Sequence, residues 1–284
     1  MTERETDNLR VQWLVERTVH RERSKFQEIA VVDTVEFGRM LLLDGIIQTS
    51  LRDEFVYHEM LAHVPLFLHP RPERVLVIGG GDGGTVREVL KHPEVRRVHL
   101  VEIDERVIAV SRQYLPELAS SFDDPRVEIR IDDGIEYVKR HRNAYDVVLV
   151  DSSDPLGPAV GLFTSEFYGN VAEVLRKDGI LAVQSESYIF SADLVQSVYR
   201  AIGEHFPSVF IYTANVPTYS VGPWTFTLGS KRFLDSVAPR RANGKLRTRY
   251  YTPEIHRAAF VLPRFVQELL SEQEDEAGTG TRGA

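Results

Sequence analysis

Asp151 and Asp154 stand three residues apart in the run Asp151-Ser152-Ser153-Asp154-Pro155, which continues into Leu156-Gly157-Pro158-Ala159. Two carboxylates on a Pro- and Gly-rich loop can hold a cation, and one of them can take a proton from a reacting group. A third, Asp82, lies inside Gly79-Gly80-Gly81-Asp82-Gly83-Gly84. Gly79, Gly81 and Gly84 have the G-x-G-x-x-G spacing of nucleotide-binding loops. Glu102 follows about 20 residues on, where an acid commonly meets ribose hydroxyls. That pattern serves NAD and S-adenosyl sulfonium ligands alike. A loop built for a pyrophosphate, however, presents N–H donors and no negative charge. Asp82 opposes a phosphate and attracts an ammonium, although an Asp here can also cap the next helix. Asp132-Asp133-Gly134 is a further acidic turn, placed either to reach a nucleoside base or to cap a helix. Gln27, Gln48, Tyr57, His58, Glu186 and Tyr219 could fold over the same site. Taken singly, a His or an aromatic in such places is more often packed or solvated than a ligand. No cluster with metal-ligand spacing is present.

These residues need a scaffold that gathers them. From Asp53 onward the chain alternates strand and helix. The strands read RVLVIG, RRVHLVEID, RVEIRIDD, YDVVLVD and ILAVQSES, apolar runs suited to burial on both faces. Between them stand the helical segments GTVREVLKH, ERVIAVSRQYL, GIEYVKRH and FTSEFYGNVAEVLRKDG, the last running to Gly179. A helix over 192–206 and the strands SVFIYTANV and TFTLGSK complete the set. This order predicts an α/β fold with a nucleoside-binding, Rossmann-like (methyltransferase-like) parallel sheet. Ahead of it, VQWLVERTVH, FQEIAVVDT and RMLLLDGIIQTS read as short strands parted by turns. The expected organisation is a small N-terminal antiparallel β domain over 1–52, a Rossmann-like catalytic domain over 53–270 and a disordered tail over 271–284. Residues 239–251 are expected to be a surface loop, and a last helix over 253–270 is interrupted at Pro263.

Composition narrows the function. The 284 residues include 34 Lys+Arg and 42 Asp+Glu, a net charge of −8. An acidic chain is a poor general binder of nucleic-acid phosphates and suits a cationic ligand better. Without cysteine there are no disulfides, thiolate metal sites or cysteine nucleophile. No apolar run approaches the roughly 20 residues that span a bilayer, and MTERETDN does not read as a signal peptide. A cytoplasmic enzyme that engages neither membrane nor nucleic acid is expected.

Taken together, SKFQ, LLLDGIIQTS, DEFVYHEM, VLVIGGGDGGTVREVLKHP, VEID, DPRVEIRIDDG, DSSDPLGPA, LFTSEFY, VPTY and YYTPEIHRAAFVLP resemble the polyamine aminopropyltransferase family, best known for its spermidine synthases. The resemblance runs in order over roughly residues 10 to 270, and GGGDGG with DSSDP-x-GPA carries most of its specificity. It implies dimers or tetramers, no metal and no cofactor. The reaction it implies moves the 3-aminopropyl group of decarboxylated S-adenosylmethionine, a co-substrate, to an amine, commonly putrescine. By position, Gln27, Glu102, Asp133, Gly134 and Pro158 match nucleoside-contacting residues. Asp82 matches the residue that holds the aminopropyl ammonium. Tyr57, His58, Ser152, Ser153, Asp154 and Tyr219 match the surroundings of the amine, with Gln48 and Glu186 as further members. Asp151 matches the catalytic base.

Two segments depart from the family pattern. Many spermidine synthases carry a Trp shortly after the acid that Glu186 matches. Here Tyr188 or Phe190 is expected to take its place. Val216-Pro217-Thr218-Tyr219-Ser220-Val221-Gly222 also differs from the usual T-Y-P-S-G. Both bear on acceptor identity, so cadaverine, agmatine or spermidine compete with putrescine. A methyltransferase using S-adenosylmethionine is disfavoured by Asp82, which would face the carboxylate of that ligand. An NAD oxidoreductase stands further off.

Overall fold

The structure, a computed structural model, describes residues 1–155, 157–219, 222–240 and 246–271, without the Pro158 side chain. At the N-terminus β1 (Thr2–Arg4) and β2 (Arg10–Gln12) pair as a small antiparallel ribbon that sequence patterning did not predict in full. Strands β3 (Val15–Arg23), β4 (Glu28–Thr34), β5 (Gly38–Leu43) and β6 (Ile46–Ser50) form an antiparallel meander. The β5–β6 turn places Asp44 at φ 48° and Gly45 at φ 84°. Asp-Gly suits this turn because it tolerates positive φ at both positions. One sheet face packs Ile29, Val31 and Leu41 against Val107, Val110 and Leu118 of the larger sheet's helical cover.

Helix α1 (Glu54–Leu68) is followed by β7 (Arg74–Gly79), α2 (Gly84–Leu90), β8 (Arg97–Glu102), α3 (Glu105–Tyr114), α4 (Pro116–Ala119), β9 (Val127–Ile131), α5 (Gly134–Lys139) and β10 (Tyr145–Asp151). Then come α6 (Ser165–Val174), β11 (Leu175–Ser187), α7 (Ala192–Gly203), β12 (Ser208–Ala214), β13 (Trp224–Ser230), α8 (Pro253–Ala259) and α9 (Arg264–Ser271). The large sheet has the order β12-β13-β11-β10-β7-β8-β9. Its strands run parallel except β13, which is antiparallel to both neighbours. The link over 215–223 is too short for a crossover, which takes a dozen or more residues, so β13 returns as a hairpin arm.

Helix α6 stops at Val174 rather than Gly179. Leu175 is already extended, with φ −74° and ψ 142°. Pairing with β10 then slips from Tyr145↔Leu175 to Val147↔Ile180, leaving 176–179 as a bulge. Sheet pairing here overrides the helix propensity of Leu-Arg-Lys. Helix α7 likewise ends at Gly203, short of Phe206, while the break between α8 and α9 falls at Pro263 as expected. Of the expected surface loop over 239–251, residues 241–245 lie outside the described residues, and the rest is only partly outward. Tyr251 is buried and stacks on Phe67 at 5.2 Å. Buried Glu59 of α1 accepts the backbone N–H groups of Arg249, Tyr250 and Tyr251 at 2.7–2.8 Å. This binds the C-terminal arm to the central helix. Of the expected tail over 271–284, Ser271 still belongs to α9 and 272–284 lie outside the described residues.

Candidate active site

The chain runs outward from β7 through β8 to β9, then returns to the other side of β7 with β10. Ligands in such sheets bind at the carboxyl ends of the strands where this reversal occurs. Asp151, the last residue of β10, pairs in register with Gly79, the last of β7. Gly80 donates its N–H to the Asp151 carbonyl at 2.8 Å. Gly80 has φ +70°, and a Cβ there would lie 2.6 Å from Asp151 Oδ2. The glycines therefore let the loop cross directly over the acid. A cavity of ≈250 Å³ opens at this point, walled by both sheets and α1.

Asp151 is held on both sides. Tyr57 Oη donates to Oδ1 at 2.8 Å and Thr85 Oγ1 donates to Oδ2 at 2.7 Å. Burial raises its pKa; His58 lowers it, Asp82 raises it, and the two hydroxyls lower it, leaving it above the ordinary value. Asp82 accepts the Gly84 N–H, the first of α2, at 2.7 Å, although the N-cap position weighed for it from sequence is taken by Gly83. Its Oδ2 lies 3.4 Å from His58 Nε2. His58 Nδ1 meets Glu54 Oε2 at 2.6 Å, one helical turn earlier, and Arg87 donates to the same oxygen at 2.7 Å. Burial acts to raise the Asp82 pKa, but the His58 charge and hydrogen bonds outweigh it and hold the acid below its ordinary value. Burial likewise favours a neutral His58 ring, yet Asp82 and Glu54 hold its pKa well above ordinary. A Cβ on Gly84 would clash with the imidazole, so glycine here makes room for His58.

At the other end of the cavity Glu102 closes β8. Its Oε1 accepts the Asp104 N–H at 3.0 Å, and burial pushes its pKa up to about 7. Gln27 reaches from the N-terminal sheet, donating to Asp104 Oδ2 at 3.1 Å beside Ser24. Asp133 caps α5 by accepting the Ile135 N–H, and both Asp133 and Gly134 line the cavity. Ile103, Ile135, Ala159 and Leu162 add apolar walls suited to a flat ring. Sequence patterning missed them, since an apolar residue at a strand end or helix start reads as core. The side chain of Pro158 lies outside the described residues.

Tyr57, Tyr219 and Gln48 form the third wall. The tyrosine rings meet edge to face at 5.7 Å, and Tyr219 Oη donates to the Gln48 carbonyl at 2.6 Å. Ser152, Ser153 and Asp154 line the cavity as expected. Glu186 lies behind Asp154 with φ 63°, a strained conformation for a non-glycine residue. Burial, then the Asp154 charge and hydrogen bond, push its pKa up to about 10. Four supporting residues escaped sequence reasoning: Glu54, which holds His58, and Gln184, Thr85 and Asp53. Gln184 donates to the Ser152 and Ser153 carbonyls at 3.2 and 3.4 Å and fixes that loop. Thr85 grips Asp151. Asp53 accepts the Thr218 N–H at 2.7 Å and its hydroxyl at 2.5–2.6 Å, which sets Tyr219 in place. Only Thr85 had an available signal, as the residue directly after the glycine run.

One expectation is corrected. Neither Tyr188 nor Phe190 lines the cavity. Tyr188 packs with Val195, Ile211 and Val266 and meets Phe265 at 5.5 Å; Phe190 is about half exposed. The left-handed turn at Glu186 carries the following residues away from the site.

Residues 54–238 match the family model of the spermine/spermidine synthase domain, and residues 1–50 match that of the spermidine synthase tetramerisation domain. A polyamine aminopropyltransferase of Moorella thermoacetica is 54% identical over 275 residues, covering 97% of each chain. The protein of the same name from Bacillus subtilis is 50% identical over 269 residues, covering 95% of this chain and 98% of its own. A crystal structure of a spermidine synthase in complex with the transition-state analogue AdoDATO superposes with a TM-score of 0.90 at 40% identity. It covers 94% of this chain and 92% of its own. The Thermotoga maritima spermidine synthase superposes with a TM-score of 0.88 at 39% identity, with the same coverage. A carboxylate-rich cavity at the sheet's reversal point and matches spanning nearly the whole chain lead to one assignment: this chain belongs to the spermine/spermidine synthase family of polyamine aminopropyltransferases.

Proposed function

We propose that the protein transfers the 3-aminopropyl group of decarboxylated S-adenosylmethionine to putrescine, releasing spermidine and 5′-methylthioadenosine. The observation that carries this is the set of carboxylates and tyrosines meeting in one cavity: Asp82, Asp151 and Asp154 with Tyr57 and Tyr219. The donor is a sulfonium bearing an ammonium, and the acceptor is a diamine protonated at neutral pH. Carboxylates and aromatic faces are what such cations require. Gln27, Glu102, Asp133, Gly134 and Pro158 are assigned to the nucleoside, with Glu102 on the ribose hydroxyls. Asp82 is assigned to the aminopropyl ammonium, and Tyr57, His58, Ser152, Ser153, Asp154 and Tyr219 to the acceptor's surroundings.

The chemistry is a direct displacement. The neutral acceptor nitrogen attacks the carbon next to sulfur; the C–N bond forms as the C–S bond breaks, and the electron pair leaves with sulfur as a neutral thioether. Asp151 takes the proton that the new ammonium gives up. Its raised pKa makes it a stronger base than an ordinary carboxylate. The free amine has a pKa near 10, but desolvation and the neighbouring sulfonium lower it and supply the neutral form. Holding both reactants in line removes much of the remaining barrier. The proposed reaction uses no cofactor. Assembly into a homo-oligomer through the N-terminal domain and a cytoplasmic location belong to the same proposal.

The test is an acceptor panel. The purified protein is given decarboxylated S-adenosylmethionine with putrescine, cadaverine, agmatine or spermidine, and products are identified by mass. Spermidine formed fastest from putrescine is the expected result. Preferred turnover of another amine would overturn the acceptor assignment, and no aminopropyl product with any amine would overturn the reaction.

A further inference from the structure

His58 has two hydrogen-bonding faces and a carboxylate on each. Glu54 Oε2 lies 2.6 Å from Nδ1, and Asp82 Oδ2 lies 3.4 Å from Nε2. Arg87 pins Glu54 from behind at 2.7 Å and is itself tied to Glu88 at 2.8 Å. The groups facing the ring are therefore Glu54 and Tyr57 on α1, Asp82 on the glycine loop, Arg87 on α2 and Asp151 at the end of β10. His58 is 2% exposed, so water cannot stabilise a charge there. The same Asp82 is assigned above to the ammonium of the donor. In the unliganded protein the imidazolium neutralises Asp82. When the ammonium arrives, two cations compete for one carboxylate.

We propose that binding of the cationic donor drives a proton off His58, and that Glu54 fixes the ring so that the vacated nitrogen is Nε2, facing Asp82 and the ammonium. The proton leaves for solvent. The pair on Nε2 becomes a second acceptor for the ammonium beside Asp82, while Nδ1 keeps its proton and donates it to Glu54. Burial is the largest influence on this ring and favours the neutral form; Asp82 is the largest influence against it. Once the ammonium engages Asp82, the largest influence holding the proton is offset and burial is opposed by Glu54 alone. Glu54 thus acts as a positioning residue through His58, and Arg87 holds Glu54 ionised and oriented. The inference rests on the assignment of Asp82 to the donor's ammonium.

Calorimetric titration in buffers of differing ionisation enthalpy counts the protons released. Decarboxylated donor is compared with 5′-methylthioadenosine, which fills the nucleoside end without bringing a positive charge. The expected result is that the donor releases close to one proton more than methylthioadenosine at about pH 7.5. That difference falls to near zero in His58→Gln, which keeps hydrogen bonding without titrating, and shrinks in Glu54→Gln. In the wild type, the donor's log affinity relative to methylthioadenosine rises by about one per pH unit over the same range. A release that persists in His58→Gln would place the proton on another acid and overturn the inference. A flat wild-type pH dependence would overturn it without recourse to any variant. An unchanged release in Glu54→Gln would remove the positioning role. Donor binding no tighter than methylthioadenosine, at any pH, would instead bring down the Asp82 assignment itself.

Discussion

Replacing Asp82 by Asn should separate two ligands that share the same nucleoside. The carboxylate is buried and lies at the junction of the glycine loop and α1, where its Oδ1 is engaged by the Gly84 N–H and its Oδ2 faces His58. Asparagine can keep the Gly84 contact through its amide oxygen, so the loop should hold its shape. What is lost is the negative charge opposite the donor's ammonium. A hydrogen bond to a charged group contributes about 1.5–3 kcal/mol. At about 1.4 kcal/mol per tenfold, that is a loss of roughly 10- to 150-fold in donor affinity. Part is offset, because His58 loses the neighbour that kept it charged, so less binding energy goes into removing its proton. Methylthioadenosine has no ammonium and should bind nearly as before. The assay is equilibrium titration of both ligands against wild type and variant, with the ratio of affinities as the readout. Equal losses for the two ligands, or a loss confined to methylthioadenosine, would refute an ammonium contact at Asp82.

Further consequences follow from the same geometry. Glu102→Gln should weaken methylthioadenosine and donor alike; because burial places the Glu102 pKa at about 7 and the ionised form is the better ribose acceptor, wild-type affinity for methylthioadenosine should rise with pH through 7 and the variant's should not. Affinity of the variant equal to wild type above pH 7 would remove Glu102 from the site. Glu59→Ala strands three backbone N–H groups at the C-terminal arm and should cost at least about 3 kcal/mol in denaturant unfolding, the low end of about 1–3 kcal/mol per unpaired group because only that of Tyr251 is fully buried; an unchanged midpoint would show that the arm is not held there. Thr218→Val removes the hydroxyl clasp on Asp53 and should raise the acceptor KM while leaving methylthioadenosine binding intact; equal effects on both would mean the turn serves the whole cavity. Phe190→Ala should leave the putrescine-to-cadaverine ratio unmoved, since the side chain stands clear of the cavity; a shifted ratio would contradict that placement.

The parts legible in the sequence are those where a residue's type and its chain neighbours settle its place. The glycine run after RVLVIG could only be a strand-to-helix turn, and Glu102 and Asp151 ended strands whose apolar runs were unmistakable. Thirteen expected site residues, among them Gln27 and Gln48 from the N-terminal domain, line one cavity. Other features depend on pairing across the sheet. The reversal of β13 and the early end of α6 were not readable locally, because each is decided by a partner strand distant in sequence. Tyr188 shows the same limit at a single residue. It follows an acid at the site, but the left-handed turn at Glu186 sends its ring into a separate core. The supports Asp53, Gln184 and Glu54 were hidden for a related reason: a polar side chain that holds a neighbour looks, in sequence, like one that holds nothing.

Asp151 as proton acceptor is the centre of the proposed mechanism, and single-turnover transfer by Asp151→Asn tests it most directly. Asparagine keeps the size of the side chain and one oxygen for Tyr57 or Thr85, but cannot take a proton. Transfer should slow by about 10²- to 10⁴-fold at neutral pH, with methylthioadenosine still bound. Part of the rate should return as pH rises, because more of the acceptor amine is then already neutral. Near-normal transfer by the variant at neutral pH would contradict the account. A severe loss with no recovery at high pH would leave Asp151 a role in positioning or charge but not as the base.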